Sequence, residues 1–428
     1  MTTFFIETNG DSNTLSNSEQ MAGLLQQAKF TSAETLEESD IVILNNASLP
    51  GPKESSFFAR LEQVKQDNPY KIIIIAGCIP LTEQEKLKPY SIIGTMSIHR
   101  IVEVVEEALH NNVIKILESS EKPPLDTPKI RRNPIVEIIP ISRGSLNTCK
   151  CCKTRASDGN LESYPIDEIV KVAKRAVNQG VKEILLTSED AFCYGFDMAT
   201  SLPELLVELI KIPGEFKLRI GRGSPAPLQK IKEKLFPLLQ DEKMFQFLHI
   251  PALSGSNRVL SHMQRGNTKE EFLAMVKELR ALVPHITLLT DIMVGYPLEK
   301  EDDYWETLNL ARAAMPDIMN ISRFWPKVKT PAAKLKPVPE EEVQRRLAVV
   351  KDIMQNMSKM QNERWLDWEG NILIHEKGTE GQQWIGRNQS YKPIIVEGQY
   401  KIGDALLVKI EKAEIILLRG KVLPAAVR

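Results

Sequence analysis

The chain has 428 residues, 42% of them hydrophobic and 26% charged, enough ordinary globular material for two or three domains with separate cores. Its formal net charge of -1 excludes attraction of nucleic acid by the field of the whole molecule, so such a partner would have to meet a local basic surface. Five cysteines in this length, three of them crowded at Cys149, Cys151 and Cys152, exclude a disulfide framework and in a reducing compartment read as metal or redox chemistry. No charged-then-apolar leader opens the chain and no apolar run nears the length of a bilayer span, so a cytoplasmic location without membrane contact is expected.

The first elements are "TTFFIETNGDSN", an apolar run closed by a Gly-Asp turn, and "SEQMAGLLQQAKF", whose apolar residues recur at helical spacing. "SDIVILNNAS" and "YKIIIIAGCIP" are near-continuous β-branched runs suited to strands buried on both faces of a parallel sheet. Residues 1–118 thus read as a small parallel α/β domain. The stretch 119–134, proline-rich and charged, reads as a linker. From 135 to 340 strand candidates alternate with helical patterns: "IVEIIPI", "KEILLTS", "FKLRIG", "FQFLHI", "ITLLTDIMVG" and "DIMNISRF" are the strands. Six βα units with right-handed crossovers make a (β/α)6 partial barrel, whose chemistry gathers at the carboxyl ends of its strands. There lie the cysteine loop, then Ser188, Glu189 and Asp190, then Arg222, His249, Asp291 and Arg323. His249 could equally be a satisfied core histidine, and Glu189 and Asp190 could simply cap the following turn.

A charged helix over 341–364 leads to 365–428, where short strands alternate with glycine turns, the pattern of a small closed β-barrel of the kind that binds single-stranded nucleic acid. Trp384, Arg387, Tyr391 and Lys392 bring aromatic and basic groups together at one hairpin and are the candidate RNA-binding residues. An accessory barrel that only packs against its neighbour is the alternative.

Taken in order, "GSLNTCKCCKT", "SYPIDEIV", "LLTSEDAFCYGFD", "HIPALSGSNRVLSHMQR", "TDIMVGYP" and "GRNQSYKPIIV" resemble the signatures of the radical S-adenosylmethionine methylthiotransferases that modify tRNA. The resemblance is strongest to the archaeal and eukaryotic branch that acts on threonylcarbamoyladenosine beside the anticodon. It spans nearly the whole chain and implies a radical domain and a C-terminal TRAM barrel. It further implies S-adenosylmethionine, two 4Fe-4S clusters, tRNA as substrate and an electron donor.

By that resemblance the radical cluster sits on a CxxxCxxC loop, because soft thiolates suit iron-sulfur clusters. Here Cys149 and Cys152 hold two of the positions and Ser145 holds the first, with Cys151 as the alternative third ligand. The second cluster would need thiolates at 11, 47 and 78, where the chain has Asp11, Ala47 and Cys78. Leu253 replaces a glutamine, Asn267 a tyrosine, and Lys327 with Lys329 departs from a "PRxGTP" segment. The same resemblance places Glu189 and Asp190 near the bound cofactor and makes Arg265 a cofactor or substrate contact, otherwise a solvated charge; Ser188, Arg222 and His249, at the same strand ends, join them as expected cofactor-binding residues. The implied activity is a 2-methylthio insertion. The alternative is a catalytically impaired relative that binds tRNA or partners an intact paralogous subunit.

Overall fold

The computed structural model describes residues 2–47, 52–78, 84–117, 122–146, 149–150, 159–327 and 330–424. At the N-terminus six parallel strands form one sheet, in the order Thr31–Ser32, Thr3–Asn9, Ile41–Asn46, Ile72–Gly77, Ser91–Ile93 and Lys115–Ile116. The β-branched runs need cover on both faces. Ile41, Ile43 and Ile74 pack with Met21, Leu25 and Val104 of two helices on one side, while Val42, Leu44 and Ile75 pack with Phe57, Phe58 and Leu61 on the other. The carboxyl ends of the three central strands carry Gly10–Asp11, Ala47 and Cys78. At Gly77, φ is +93° and a Cβ would strike the Asn46 carbonyl oxygen at 2.2 Å, so the turn into Cys78 requires glycine.

Residues 122–134 contain no helix or strand, yet they are tied down along their length. Lys129 and Arg131 both grip the buried Glu137 carboxylate, at 2.6 and 2.5 Å, and the Ile130 and Arg132 amides donate to the Glu19 carbonyl and carboxylate. The segment is a strap across two domains, its backbone groups satisfied by neighbours instead of by its own periodicity.

The six strands of the central domain are Val136–Pro140, Glu183–Thr187, Lys217–Ile220, Phe247–His249, Thr287–Val294 and Ile318–Arg323. They pair parallel in two three-stranded sheets, with an isolated bridge from Leu218 to Met244 at the seam. Ile139, Ile184, Leu186, Leu218 and Leu248 join a core with the outer helices, among them Ile166–Asn178, Leu202–Ile210 and Lys269–Leu282. The alternating residues Ile138, Leu185 and Arg219 face the concave side, where they line a cavity of about 620 Å³. This is the partial barrel the alternation implied. The short helix Asn257–Met263 is an addition to that reading.

Helix Glu340–Glu363 carries the chain across the barrel to a closed five-stranded barrel of Glu369–Lys377, Gln383–Arg387, Pro393–Glu397, Leu418–Val422 and Ala405–Ala413. Trp365, Ile372, Ile374, Ile394, Val396, Val408 and Leu418 fill it. It docks on the amino ends of the central strands, opposite the end that meets the N-terminal sheet. Among the described residues no helix is long and apolar enough to cross a membrane.

Candidate functional site

The strand ends of the N-terminal sheet and of the partial barrel face each other across a cavity of about 240 Å³. Its walls are Asp11, Asn13, Asn17, Asn45, Ala47 and Cys78 from one domain and Ser142, Arg143, Glu189, Arg222 and Lys327 from the other. Direct hydrogen bonds set the separation: Ser12 Oγ meets Thr187 Oγ1 at 2.6 Å, Asn13 Nδ2 donates to Glu189 at 3.2 Å, and Arg143 Nη1 donates to Asn17 Oδ1 at 3.0 Å. Arg222 lies 3.2 Å from Glu189 and 3.9 Å from Asp11.

The three positions at which the resemblance implies the second cluster do come together here, but as a carboxylate, a methyl and a thiol. Asp11 is committed locally: it is the N-cap of helix Ser12–Gln27, Oδ1 accepting from the Asn13 and Thr14 amides at 3.1 and 3.2 Å. Cys78, half-buried, holds its backbone amide on the Asn46 carbonyl. Among the described residues no group of three His, Cys, Asp or Glu could hold a metal ion. On the loop where the resemblance implies the radical cluster, Ser145 and Cys149 are both buried; Cys149 packs in an apolar cluster with Val259, Met263, Tyr296 and Phe324, against which Leu253 also lies. Cys151 and Cys152 lie outside the described residues.

The expected cofactor residues are brought to one end of the barrel. Asp190 is buried and accepts from the Ser224 amide at 3.0 Å; burial raises its pKa, against the pull of Ser224, Arg265 and Arg222. Burial and then the Asp190 charge push the Cys193 thiol up, so it stays protonated as a small packing residue. His249 Nε2 sits 2.8 Å from Asp291 Oδ1, which also accepts from Asn320. Burial works to raise the Asp291 pKa, but His249, Asn320 and Arg222 together hold it below the ordinary carboxylate value. Arg265 is no solvated charge: it is 9% exposed, donates to the Pro251 carbonyl, and among the described residues its Nε has no partner, nor has Ser188 Oγ.

The hairpin expected to bind RNA requires correction. Lys392 is buried, its ammonium 2.8 Å from Asp317 and 3.0 Å from Asn362 Oδ1, so it clamps the small barrel to the central domain and is closed to RNA. Tyr391 is likewise turned inward, edge-on to Phe245 at 4.8 Å and under the Arg219 guanidinium at 4.5 Å, its hydroxyl 3.4 Å from Glu183. Arg387 stacks on the same ring and Trp384 donates to the Gly398 carbonyl, both partly exposed. Of the set, Lys392 is fully buried, and Trp384, Arg387 and Tyr391 each keep a partly exposed face.

Sequence reasoning passed over Arg143, Asn17 and Asn45. Asn17 and Asn45 carry no pattern of their own. Arg143 does: a cation directly after the strand Val136–Pro140, in "IPISRGS", has to find a counter-charge or a ligand.

The chain matches the "Radical SAM superfamily" over residues 139–311, the "Uncharacterized protein family UPF0004" over 3–93 and the "TRAM domain" over 369–423. It is 35% identical to the threonylcarbamoyladenosine tRNA methylthiotransferase of Drosophila melanogaster over 98% of its own length and 77% of that protein. To the human protein of the same name it is 36% identical over 92% and 69%. To the probable threonylcarbamoyladenosine tRNA methylthiotransferase of Pyrococcus abyssi it is 34% identical over 99% and 100%. Among solved structures, the radical S-adenosylmethionine methyltransferase TsrM of Kitasatospora setae aligns with a TM-score of 0.54 at 12% identity, covering 78% of this chain and 75% of that one, a likeness of fold alone.

Proposed function

The chain belongs to the family of threonylcarbamoyladenosine tRNA methylthiotransferases, and we propose that it acts on tRNA bearing threonylcarbamoyladenosine, inserting a methylthio group at carbon 2 of that adenine. The observation that carries the reading is continuity: the N-terminal, radical and TRAM segments match in family order, and the first two close one polar cavity between their strand ends.

The radical loop would hold a 4Fe-4S cluster through Cys149, Cys152 and either Ser145 or Cys151. Bound there, it would supply the electron that cleaves S-adenosylmethionine. Around it the chain's own residues position the cofactor. Asp190 and Glu189 are fixed by the Ser224 amide and by Asn13 with Arg222, and Asp291 orients the His249 ring. Ser188 Oγ and Arg265 Nε, each without a partner, suit the polar amino-acid end of S-adenosylmethionine. Asp11, Ala47 and Cys78 do not fit the second cluster, since one thiol and a carboxylate occupied in capping leave it without a ligand set, and no step is routed through it.

That misfit favours a second reading, in which the chain binds tRNA and S-adenosylmethionine but leaves sulfur insertion to an intact paralogous subunit. Nucleoside mass spectrometry of tRNA from cells with and without the gene separates the two. Loss of the methylthio nucleoside, restored by this gene alone in a host with no paralogue, supports the enzyme. Restoration only beside a paralogue supports the partner. An unchanged nucleoside profile contradicts both.

A further inference from the structure

Arg143 is 7% exposed, and among the described residues no carboxylate pairs with it. Nη1 is taken by Asn17 Oδ1 at 3.0 Å, which fixes the plane of the guanidinium, and the Tyr164 hydroxyl lies near the same group; among the described residues Nε and Nη2 have no acceptor at hydrogen-bonding geometry. These two atoms form the side-on fork of an arginine, whose parallel N–H bonds match the two oxygens of a carboxylate or phosphate. An unpaired buried cation is costly enough that the site calls for an anion.

The rest of the cavity agrees. The carboxylates that line it are already engaged, Asp11 in capping and near Arg222, Glu189 with Asn13 and Arg222. Lys327 adds a further cation to the wall beside Arg143 and Arg222. Ser142 and Asn45 are buried and line the cavity, and among the described residues Ser142 Oγ and Asn45 Oδ1 also lack partners, one able to donate and the other to accept. At about 240 Å³ the space is smaller than whole-ligand pockets, which run from roughly 300 Å³ upward, and suits one group of a larger molecule.

We propose that this cavity is an oxyanion subsite in which Arg143 receives the carboxylate of the threonylcarbamoyl group, with Asn45 and Ser142 receiving its hydroxyl and urea. The assignment rests on the reading that the substrate is tRNA carrying threonylcarbamoyladenosine. A carboxylate is what this nucleoside has and adenosine lacks, so Arg143 would be a specificity residue. It stands on the wall of the same cavity as Asp11, Ala47 and Cys78, where the resemblance implies the second cluster.

Isothermal titration of the full-length chain with N6-threonylcarbamoyladenosine, adenosine, inorganic phosphate and S-adenosylmethionine tests this, in the native protein and in Arg143→Met and Asn17→Ala. The native chain is expected to prefer the threonylcarbamoyl nucleoside over adenosine by about tenfold or more, the scale of a charge-assisted bidentate pair. Arg143→Met should abolish that preference and Asn17→Ala weaken it, with S-adenosylmethionine binding unchanged in both. Phosphate binding that needs Arg143, without any nucleoside preference, upholds the oxyanion site and overturns the substrate reading on which its assignment rests. A nucleoside preference that survives in Arg143→Met, or anion binding indifferent to Arg143, overturns the site itself. Arg143→Lys, which keeps the charge and loses the fork, guards against misfolding as the cause and should show the same loss of preference.

Discussion

Single residues decide what the junction between the first two domains can do. Asp11 stands where the resemblance implies a thiolate, and its task here is structural, the N-cap of helix Ser12–Gln27. Asp11→Ala should cost about 1 kcal/mol of stability in denaturant unfolding, the usual loss for a cap. Asp11→Cys with Ala47→Cys supplies two thiols beside Cys78, and after anaerobic reconstitution this variant should bind more iron per chain than the native protein. Equal iron in the two, at two clusters' worth, would show that the native site holds a cluster despite its residues. Buried Lys392 tells a second story: Lys392→Met leaves the Asp317 carboxylate with only Arg280, at 3.8 Å, and the Leu288 amide, and should cost about 3 kcal/mol. Its signature is a loss of stability with tRNA affinity retained below the new melting temperature. The sequence could not separate these roles. A lysine at the end of "GRNQSYK" looks the same whether it faces RNA or an aspartate 75 positions away.

At the scale of elements the reading succeeded where a period was long enough to be seen. All six central strands and the five helices between them follow from apolar runs alternating with 3.6-residue patterns, whereas Asn257–Met263, seven residues long, is too short to show one. The strap 122–134 has no period at all, and its order comes from contacts with Glu19 and Glu137 that only the folded molecule brings near. Two buried carboxylates at these joints set opposite pH dependences. Glu183, under the small barrel, is opposed by burial but held down to about 2 by Arg219 and His375, so its contribution is present above the ordinary value near 4.5 and is lost as pH falls toward 2. Glu19, under the strap, is pushed up by burial to about 7, against the Arg132 amide and Lys129. A raised acid favours the folded state at low pH and withdraws that support as pH climbs from 4.5 to 7, by roughly 3 kcal/mol at most. Glu19→Gln keeps an acceptor for Arg132 and should flatten the alkaline limb, melting near the native temperature at pH 5 and above it at pH 8. Parallel melting profiles for the two proteins would show that Glu19 is not the source.

The whole molecule sets two docked surfaces on opposite ends of one partial barrel. The N-terminal sheet closes the carboxyl ends of the strands, where the cavity and the residues proposed to meet the cofactor lie, and the TRAM barrel is clamped to the amino ends by Glu183, Arg219, His375 and Lys392. Domain order and strand topology were legible because they rest on local pattern. The junction was legible only in part, because pairs such as Arg143 with Asn17 lie 126 positions apart. Whether the chain completes the methylthio insertion or serves an intact partner, it must recognise the threonylcarbamoyl-bearing RNA, and that shared requirement is open to direct measurement. Affinity of the full-length protein for one tRNA, prepared with and without threonylcarbamoyladenosine, is to be compared across a salt series. The account predicts tighter binding of the modified tRNA at every salt concentration, with both affinities falling as salt rises because phosphates are neutralised by local basic groups. Equal affinity for the two forms, or binding indifferent to salt, would contradict it.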